Sequence, residues 1–357
     1  MSAGGDGAAR RGGRRRPTMR EVAALAGVGL KTVSRVVNGE PGVSADTEQR
    51  VRAAIEQLDF RPDVNAAMLR RLSGKTSTIG LVLEDVANPF SSALHRAVED
   101  YARGRGVLVI AGSCDEDAQR ERELIGTFRT RRVDGIVVVP AGGDHSYLLS
   151  ERRHGTAFVF VDRPARFLDA DTVASDNVGG ATRAVLHLAA AGHRRIAYLG
   201  DDLRIATAEQ RLRGYREGLL QLSVEYDPAI VHSGVRGVDD AARIATELLE
   251  SPDPPTAVFS AQNLVTIGVL RALRALDLHR RIALIGFDDI LLADQLDPAV
   301  SVVAQDVPGL GRAASELLFR RLDGDSSPFE HVVLDVALVP RGSGEIPVAA
   351  GDGHAAR

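Results

Sequence analysis

Cysteine is almost absent from this chain. Cys114 is the only one among 357 residues, so no intrachain disulfide forms and no thiolate cluster is available for zinc or iron. A reducing, cytoplasmic setting fits that usage. Long apolar runs are missing too. Stretches such as 136–139 and 157–161 fall far short of the roughly 20 residues that a bilayer span needs, and the arginine-rich start lacks the apolar segment of a secretory signal. No membrane association is expected. No G-x-x-x-x-G-K-[ST] loop occurs, no G-x-G-x-x-G follows an expected strand, and no G-x-S-x-G elbow appears. The nine histidines show no H-E-x-x-H pair or similar metal spacing; His145, His232 and the others read as scattered surface or loop residues. These absences argue against an enzyme, and no catalytic residue, metal or cofactor is expected.

What is present is ordinary globular material with an uneven charge. Hydrophobic residues at 44% and charged residues at 26% place the chain among folded proteins, and its length allows one small domain plus a larger body of two lobes. The net charge of −4 conceals an asymmetry. In residues 1–75, fourteen Arg and Lys face eight Asp and Glu, whereas the rest carries thirty against forty. The small end suits a polyanion, although charge alone could equally mark a solvated face. Residues 1–17 have too little apolar content to pack and read as a disordered basic arm, either near phosphate or simply solvated.

From residue 18 the periodicity is helical. Thr18 with Glu21 forms a capping box; Val22, Leu25 and Ala26 lie on one face; Ala26-Gly27-Val28 supplies a turn; Val33, Val36 and Val37 repeat at helical spacing. A third helix follows Ser44 with Val51, Ala54, Ile55 and Leu58 as its stripe, ending at Phe60-Arg61-Pro62. Beyond residue 77 the rhythm changes to short β-branched strands alternating with amphipathic helices, at 78–83, 107–111, 135–139, 157–161, 195–199, 256–259 and 283–287. That alternation argues for parallel, doubly wound sheets, and a second run of β-α units starting after residue 180 argues for two similar lobes.

Residues 20–38 (REVAALAGVGLKTVSRVVN) closely resemble the helix-turn-helix of the lactose/galactose repressor (LacI/GalR) family. The resemblance continues through Phe60-Arg61-Pro62, Ala87-Asn88-Pro89-Phe90, Ala191-Gly192-His193, Arg211-Leu212-Arg213-Gly214-Tyr215 and Ile285-Gly286-Phe287-Asp288, and covers nearly everything from Pro17 to about Arg341. It implies a transcriptional repressor: an all-α helix-turn-helix headpiece and hinge helix joined to an α/β, two-lobed, periplasmic-binding-protein-like domain, binding operator DNA as a homodimer. A stand-alone periplasmic sugar-binding protein would share the large fold but not the helix-turn-helix.

A recognition helix enters the major groove with its first residues against base edges. Leu30, Lys31 and Arg35 occupy the exposed face, since the valines claim the other; Lys and Arg suit guanine, and Leu30 a thymine methyl. Thr32, Ser34 and Asn38 are placed for phosphates or a neighbouring turn. Gly29 stands where the family usually has a Ser cap. Residues 63–69 (DVNAAML) resemble the family's hinge helix, which implies that Leu69 wedges into the minor groove; Ala67 and Met68 replace the usual Arg and Ser, and a plain linker is the alternative reading.

In the large domain the resemblance implies an effector cleft between the lobes, lined by Phe90, Asp162, Thr207, Arg211, Gln262, Asn263 and Asp288. Asp162 and Asp288 each follow an expected strand, which puts both acids at a crevice. An Arg, two carboxylates and an aromatic ring suit a small polyhydroxylated ligand, a sugar or nucleoside; for Arg211 a structural ion pair between lobes, and for Phe90 plain core packing, remain equal alternatives. Gln262-Asn263 departs from the common Asn-Asp pair and removes a carboxylate. The expected boundaries are 1–17 (arm), 18–62 (helix-turn-helix), 63–76 (hinge and linker), 77–342 (effector-binding and dimerisation domain) and 343–357 (disordered tail). No leucine heptad follows Arg341, which argues against a tetramerising coiled coil.

Overall fold

The computed structural model describes residues 17–37, 39–61 and 76–348. Most of the basic arm, Asn38, the hinge segment with Leu69, and residues 349–357 lie outside them. The chain divides into two units, residues 1–75 and 76–357.

The small unit is built by its caps. Glu21 accepts the Thr18 amide at 2.6 Å while its own amide reaches Thr18 Oγ1 at 3.4 Å, so the capping box starts α1 (Met19–Ala26). Gly27 ends it at φ 62, a left-handed conformation that glycine adopts without penalty. α2 (Leu30–Val37) and α3 (Ala45–Gln57), the latter capped by Ser44, complete the unit. Val22, Ala23, Ala26, Val33, Val51, Ala54 and Phe60 form the buried centre. Leu25, expected on the apolar face, is instead 46% exposed. At 3.6 residues per turn the buried arc of α1 runs from Val22 through Ala26 to Ala23, and Leu25 falls outside it.

The large unit has two lobes of the same construction. The first carries β1 (Thr78–Leu83), α4 (Pro89–Arg103), β2 (Leu108–Ser113), α5 (Ala118–Thr130), β3 (Gly135–Val138), α6 (Leu148–Arg153), β4 (Ala157–Val161) and β5 (Asp171–Ser175). The second carries α7 (Asn177–Ala190), β6 (Ile196–Leu199), α8 (Ala206–Gln221), β7 (Val231–His232), α9 (Gly237–Leu249), β8 (Ala257–Ser260), α10 (Asn263–Ala275), β9 (Ala283–Phe287) and β10 (Ser301–Gln305). The chain then returns to the first lobe with α11 (Val307–Leu322) and β11 (His331–Leu334), and crosses once more to add β12 (Val336–Val339). The sheet orders are β11-β5-β4-β3-β1-β2 and β12-β10-β9-β8-β6-β7. Among the described residues every strand pair is parallel except β10 with β12. Apolar strands such as β3, β4 and β9 are buried along most or all of their length, as strands covered by helices on both faces must be. Among the described residues no helix is long and apolar enough to cross a membrane.

The three passages between lobes are short. At two of them an aspartate caps the helix that follows: Asp176 accepts the amide of Gly179 at 2.8 Å and Asp306 that of Gly309 at 2.9 Å. Residues 343–348 correct the expected disordered tail. Ser343 is buried, donates to the Leu284 carbonyl at 2.6 Å and accepts the Ser301 amide at 2.9 Å, while Glu345 accepts from Ser301 Oγ at 2.8 Å and pairs with His187. This segment fills polar demand at the base of β10, which its own sequence does not advertise.

Close helix packing in the second lobe depends on glycine. A Cβ at Gly214 would sit 2.2 Å from the Val178 carbonyl oxygen, so α8 lies against α7 with no room for a methyl group. Gly214→Ala should therefore cost about 1–3 kcal/mol by urea unfolding and spread α8 from α7. Unchanged stability would show that the two helices can part freely.

Candidate functional site

Two surfaces collect the residues singled out from the sequence. In the small unit, Val33 is fully buried and turns the opposite side of α2 outward: Leu30 is 45% exposed, Lys31 and Arg35 are exposed, and Thr32 and Ser34 are half-buried. The helix starts without a side-chain cap; the Gly29 carbonyl takes the amides of Thr32 and Val33 at 2.9 and 3.2 Å. A Cβ at Gly29 meets nothing within 4 Å, so the site would accept serine. Arg35 Nε lies 3.7 Å from Glu40, an exposed pair whose small net worth is easily exchanged for a base or phosphate.

In the large unit the predicted effector residues converge. Phe90, Asp162, Thr207, Arg211, Gln262, Asn263 and Asp288 all line one cleft of about 420 Å³, counting the part open to solvent. The topology explains the meeting. In each sheet the strand order reverses beside the first strand, between β1 and β3 and between β6 and β8, and the loops leaving those carboxyl ends diverge to open a crevice. Asp162 follows β4 and Asp288 follows β9, at equivalent places in the two lobes. Each holds a left-handed backbone, φ 72 and 69, and each donates its amide at 2.8 Å to the neighbouring strand, to Val173 and Val303 respectively. Such a conformation is costly for a non-glycine residue and persists where the surroundings enforce it.

Arg211 is 5% exposed. Its Nε donates to Asn177 Oδ1 at 2.8 Å, and Nη1 donates to the Ala261 carbonyl at 2.9 Å and to Asp288 Oδ2 at 3.4 Å. The guanidinium also lies 3.9 Å from the centre of the Phe287 ring, a cation–π contact strengthened by burial. Gln305 Nε2 donates to the other Asp288 oxygen at 2.6 Å. Arg211 thus bonds one of the two expected carboxylates, and that one belongs to its own lobe. Asp162 belongs instead to Arg163, whose Nε donates to it at 3.1 Å and whose Nη1 and Nη2 fork onto Glu116 at 2.8 and 2.6 Å, with the Pro140 carbonyl taking a further bond. Phe90 is half-buried against the core of the first lobe and forms part of the cleft wall.

The Gln262 and Asn263 side chains are both engaged within the protein. The Gln262 side chain caps α10, accepting the amides of Leu264 and Val265 at 2.8 and 3.0 Å. Asn263 Nδ2 donates to Asn88 Oδ1 at 2.8 Å, joining the lobes across the cleft. Thr207 is buried at the start of α8.

The cleft also contains residues that the sequence reading passed over: Glu84, Asn88, Arg163, Asp201 and Gln305. Arg163 and Asn88 had signals, a charged pair directly after an apolar strand and an Asn-Pro helix start; Glu84 follows β1 in the same way. Glu84 is pushed up to about 7, chiefly by burial, with Glu116, Asp162 and Asp201 adding and Arg163 opposing. Burial also raises Asp162 and Asp201 above the usual carboxylate range. Burial works against the charge of Arg163 as well, but Glu116, Asp162 and Glu84 outweigh it and keep the guanidinium protonated.

His145, read from the sequence as a surface or loop residue, is 1% exposed. Its amide donates to the Arg166 carbonyl and its Nδ1 accepts the Arg166 amide, both at 3.0 Å, while Nε2 faces buried Glu121 at 3.3 Å. Glu121 takes the Ala141 amide at 2.7 Å and the Tyr147 hydroxyl at 3.0 Å. This clasp fixes the loop after β3, including the Pro140 carbonyl that Arg163 uses.

Comparison with known proteins identifies both domains. The family model "Bacterial regulatory proteins, lacI family" matches residues 18–63, and that for a periplasmic binding protein-like domain matches residues 185–344. The HTH-type transcriptional regulator CelR of Thermobifida fusca is 33% identical over 340 residues, covering 93% of this chain and 99% of its own. A solved transcriptional regulator CelR–cellobiose complex is 32% identical with a TM-score of 0.68, over 92% of this chain and 100% of that one. The lac repressor dimer bound to operator and the anti-inducer ONPF superposes with a TM-score of 0.81 at 24% identity, over 94% of this chain and 100% of that one, a likeness of fold.

The raised Glu84 carboxyl has a consequence for stability. The folded chain keeps a proton there that the unfolded chain gives up above its ordinary 4.5, so this group's contribution is complete below about 4.5 and is lost as the pH rises through about 7. Glu84→Gln should flatten that slope and raise stability at about pH 8 by on the order of 2 kcal/mol, read from urea melts on either side of the window. An identical pH profile in the variant would refute the assignment.

Proposed function

The chain belongs to the lacI family of bacterial regulatory proteins and is a transcriptional regulator rather than an enzyme; on that premise we propose that it is a cytoplasmic, homodimeric repressor whose operator affinity is set by a small carbohydrate-like effector in the cleft. The α2 face reads DNA: Lys31 and Arg35 meet guanine edges, Leu30 meets a thymine methyl, and Thr32, Ser34 and Asn38 meet phosphates or the adjoining turn. Leu69 acts as the minor-groove wedge of a hinge helix. In the body, Arg211, Asp288 and Asp162 form hydrogen bonds to the effector's hydroxyls, Phe90 stacks on its ring, and Thr207, Gln262 and Asn263 complete the wall.

One observation carries this reading. Asp162 and Asp288, on opposite lobes and in equivalent left-handed turns, line the same cleft beside a buried arginine. An effector bonded to both has a different affinity for each arrangement of the lobes, which is the only way a ligand can shift an equilibrium. The CelR–cellobiose complex supports a sugar as the ligand class, and so does a lining that combines fixed acceptors, an arginine and an aromatic ring.

Arg35→Ala should lose preference for operator over random duplex, by about 1–3 kcal/mol, while both affinities keep a steep log-linear salt dependence. Equal losses on the two duplexes would make Arg35 a backbone contact. In the body, Asp288→Asn should reduce the effector response of a fluorescently labelled operator complex at least tenfold. Arg211→Ala should do the same and also cost about 3–5 kcal/mol of stability, because it strands Asp288 and Asn177. An unchanged effector midpoint in Asp288→Asn would move the effector site elsewhere.

A further inference from the structure

The cleft holds more carboxyls than guanidiniums. Glu84, Asp162, Asp201 and Asp288 line it, and Glu116 stands behind Arg163, beside the two guanidiniums of Arg163 and Arg211. Both guanidiniums are engaged. Arg163 has its donors on Asp162, Glu116 and the Pro140 carbonyl, and Arg211 gives Nε and Nη1 to Asn177, Ala261 and Asp288. Beside the Nη2 of Arg211, acceptor capacity remains over. The Glu84 carboxylate comes no nearer to Arg163 than 3.8 Å. Independently, Gln305, whose amide nitrogen goes to Asp288, leaves its Oε1 buried without a hydrogen-bond partner. A buried acceptor in a ligand cleft is satisfied when the ligand brings the donor.

We infer that the effector carries a protonated amine, seated between Glu84 of the first lobe and Asp201 of the second: an amino sugar or similar hydroxylated amine, not a phosphorylated or carboxylated one. The inference rests on the reading of the cleft as a carbohydrate effector site. A phosphate or carboxylate would add like charge to a partly desolvated acidic wall. A metal ion needs ligands drawn tightly together, and among the described residues no three acidic, histidine or cysteine side chains converge that closely. An ammonium group has three rotatable donors and serves acceptors held farther apart. The shifted carboxyls agree with this. Glu84 is raised in part by Glu116, Asp162 and Asp201, a repulsion that a bound cation relieves. Because Glu84 and Asp201 belong to different lobes, an ammonium held by both favours the arrangement that brings them together.

The test is calorimetric titration of the full-length protein at low salt and about pH 7.5, above the value to which Glu84 is raised, so that its carboxyl is ionised while sugar amines still carry a proton in good part. The probes are matched pairs, glucose with glucosamine and galactose with galactosamine, and glucose 6-phosphate as the anionic arm. The amine of at least one pair should bind about tenfold or more tighter than its parent, equivalent to about 1.4 kcal/mol, and the phosphate should not bind. In Glu84→Gln/Asp201→Asn that ratio should fall to within about twofold, with a melting temperature at or above the wild-type value as evidence of folding. A neutral parent that binds in an Asp288-dependent way, with no gain from the amine, overturns this inference and leaves the carbohydrate site standing. An amine preference that survives the double substitution overturns the assignment to Glu84 and Asp201. No binding by any sugar of the panel overturns both readings.

Discussion

Arg211 is a permanently charged group held almost entirely out of water, and much of the second lobe is arranged around satisfying it. A buried guanidinium without partners would be worth several kcal/mol of destabilisation. Here α7 supplies Asn177, the end of β8 supplies the Ala261 carbonyl, the turn after β9 supplies Asp288, and the Phe287 ring covers one face. Each partner imposes a requirement of its own. Asn177 is within reach because Gly214, one turn along α8, lets the two helices close to a distance that a methyl group would prevent. Asp288 faces the guanidinium because its backbone is held at φ 69. Gln305, at the end of β10, fixes the remaining carboxylate oxygen.

The first lobe solves the same problem with different residues. Its strand-end acid, Asp162, has the same conformation and the same amide bond to the next strand, but its arginine is the adjacent Arg163, anchored on Glu116 and on a carbonyl held in place by the Glu121–His145 clasp. Two lobes of one topology thus present matched carboxylates from unmatched supports. The lobes are tied by the Asn88–Asn263 hydrogen bond and by Arg166 donating to the Arg204 carbonyl at 3.3 Å. These few polar links across the cleft are what a ligand would reinforce or replace, and that makes the relative position of the lobes sensitive to occupancy.

The legible parts of the sequence were those where one local rule decides the outcome. Thr18 and Glu21 declared a helix start; Val22, Val33 and Val51 declared the headpiece core; apolar strands followed directly by Asp162 and Asp288 declared the mouth of a cleft. Where outcome depended on neighbours distant in sequence, the reading failed. β7 has two residues, and β11 alternates between exposed and half-buried positions, so neither carries a periodic signal. Residues 343–348 look like a polar tail until β10 offers the Ser301 amide and hydroxyl. His145 is an ordinary loop histidine until the turn holding Arg166 folds against it. Asp162 could be placed at the crevice, but that its cation is Arg163 and not Arg211 depends on which lobe each strand joins.

The central claim is that one ligand in this cleft and one operator on the α2 face are coupled through the arrangement of the lobes. Thermodynamic linkage makes that claim quantitative: the factor by which saturating effector changes operator affinity must equal the factor by which saturating operator changes effector affinity. Both factors are accessible on the unmodified protein, the first by anisotropy of a labelled operator and the second by calorimetry with and without unlabelled operator. The account predicts two equal factors well removed from one. An effector that binds the cleft while both factors remain at one would contradict it.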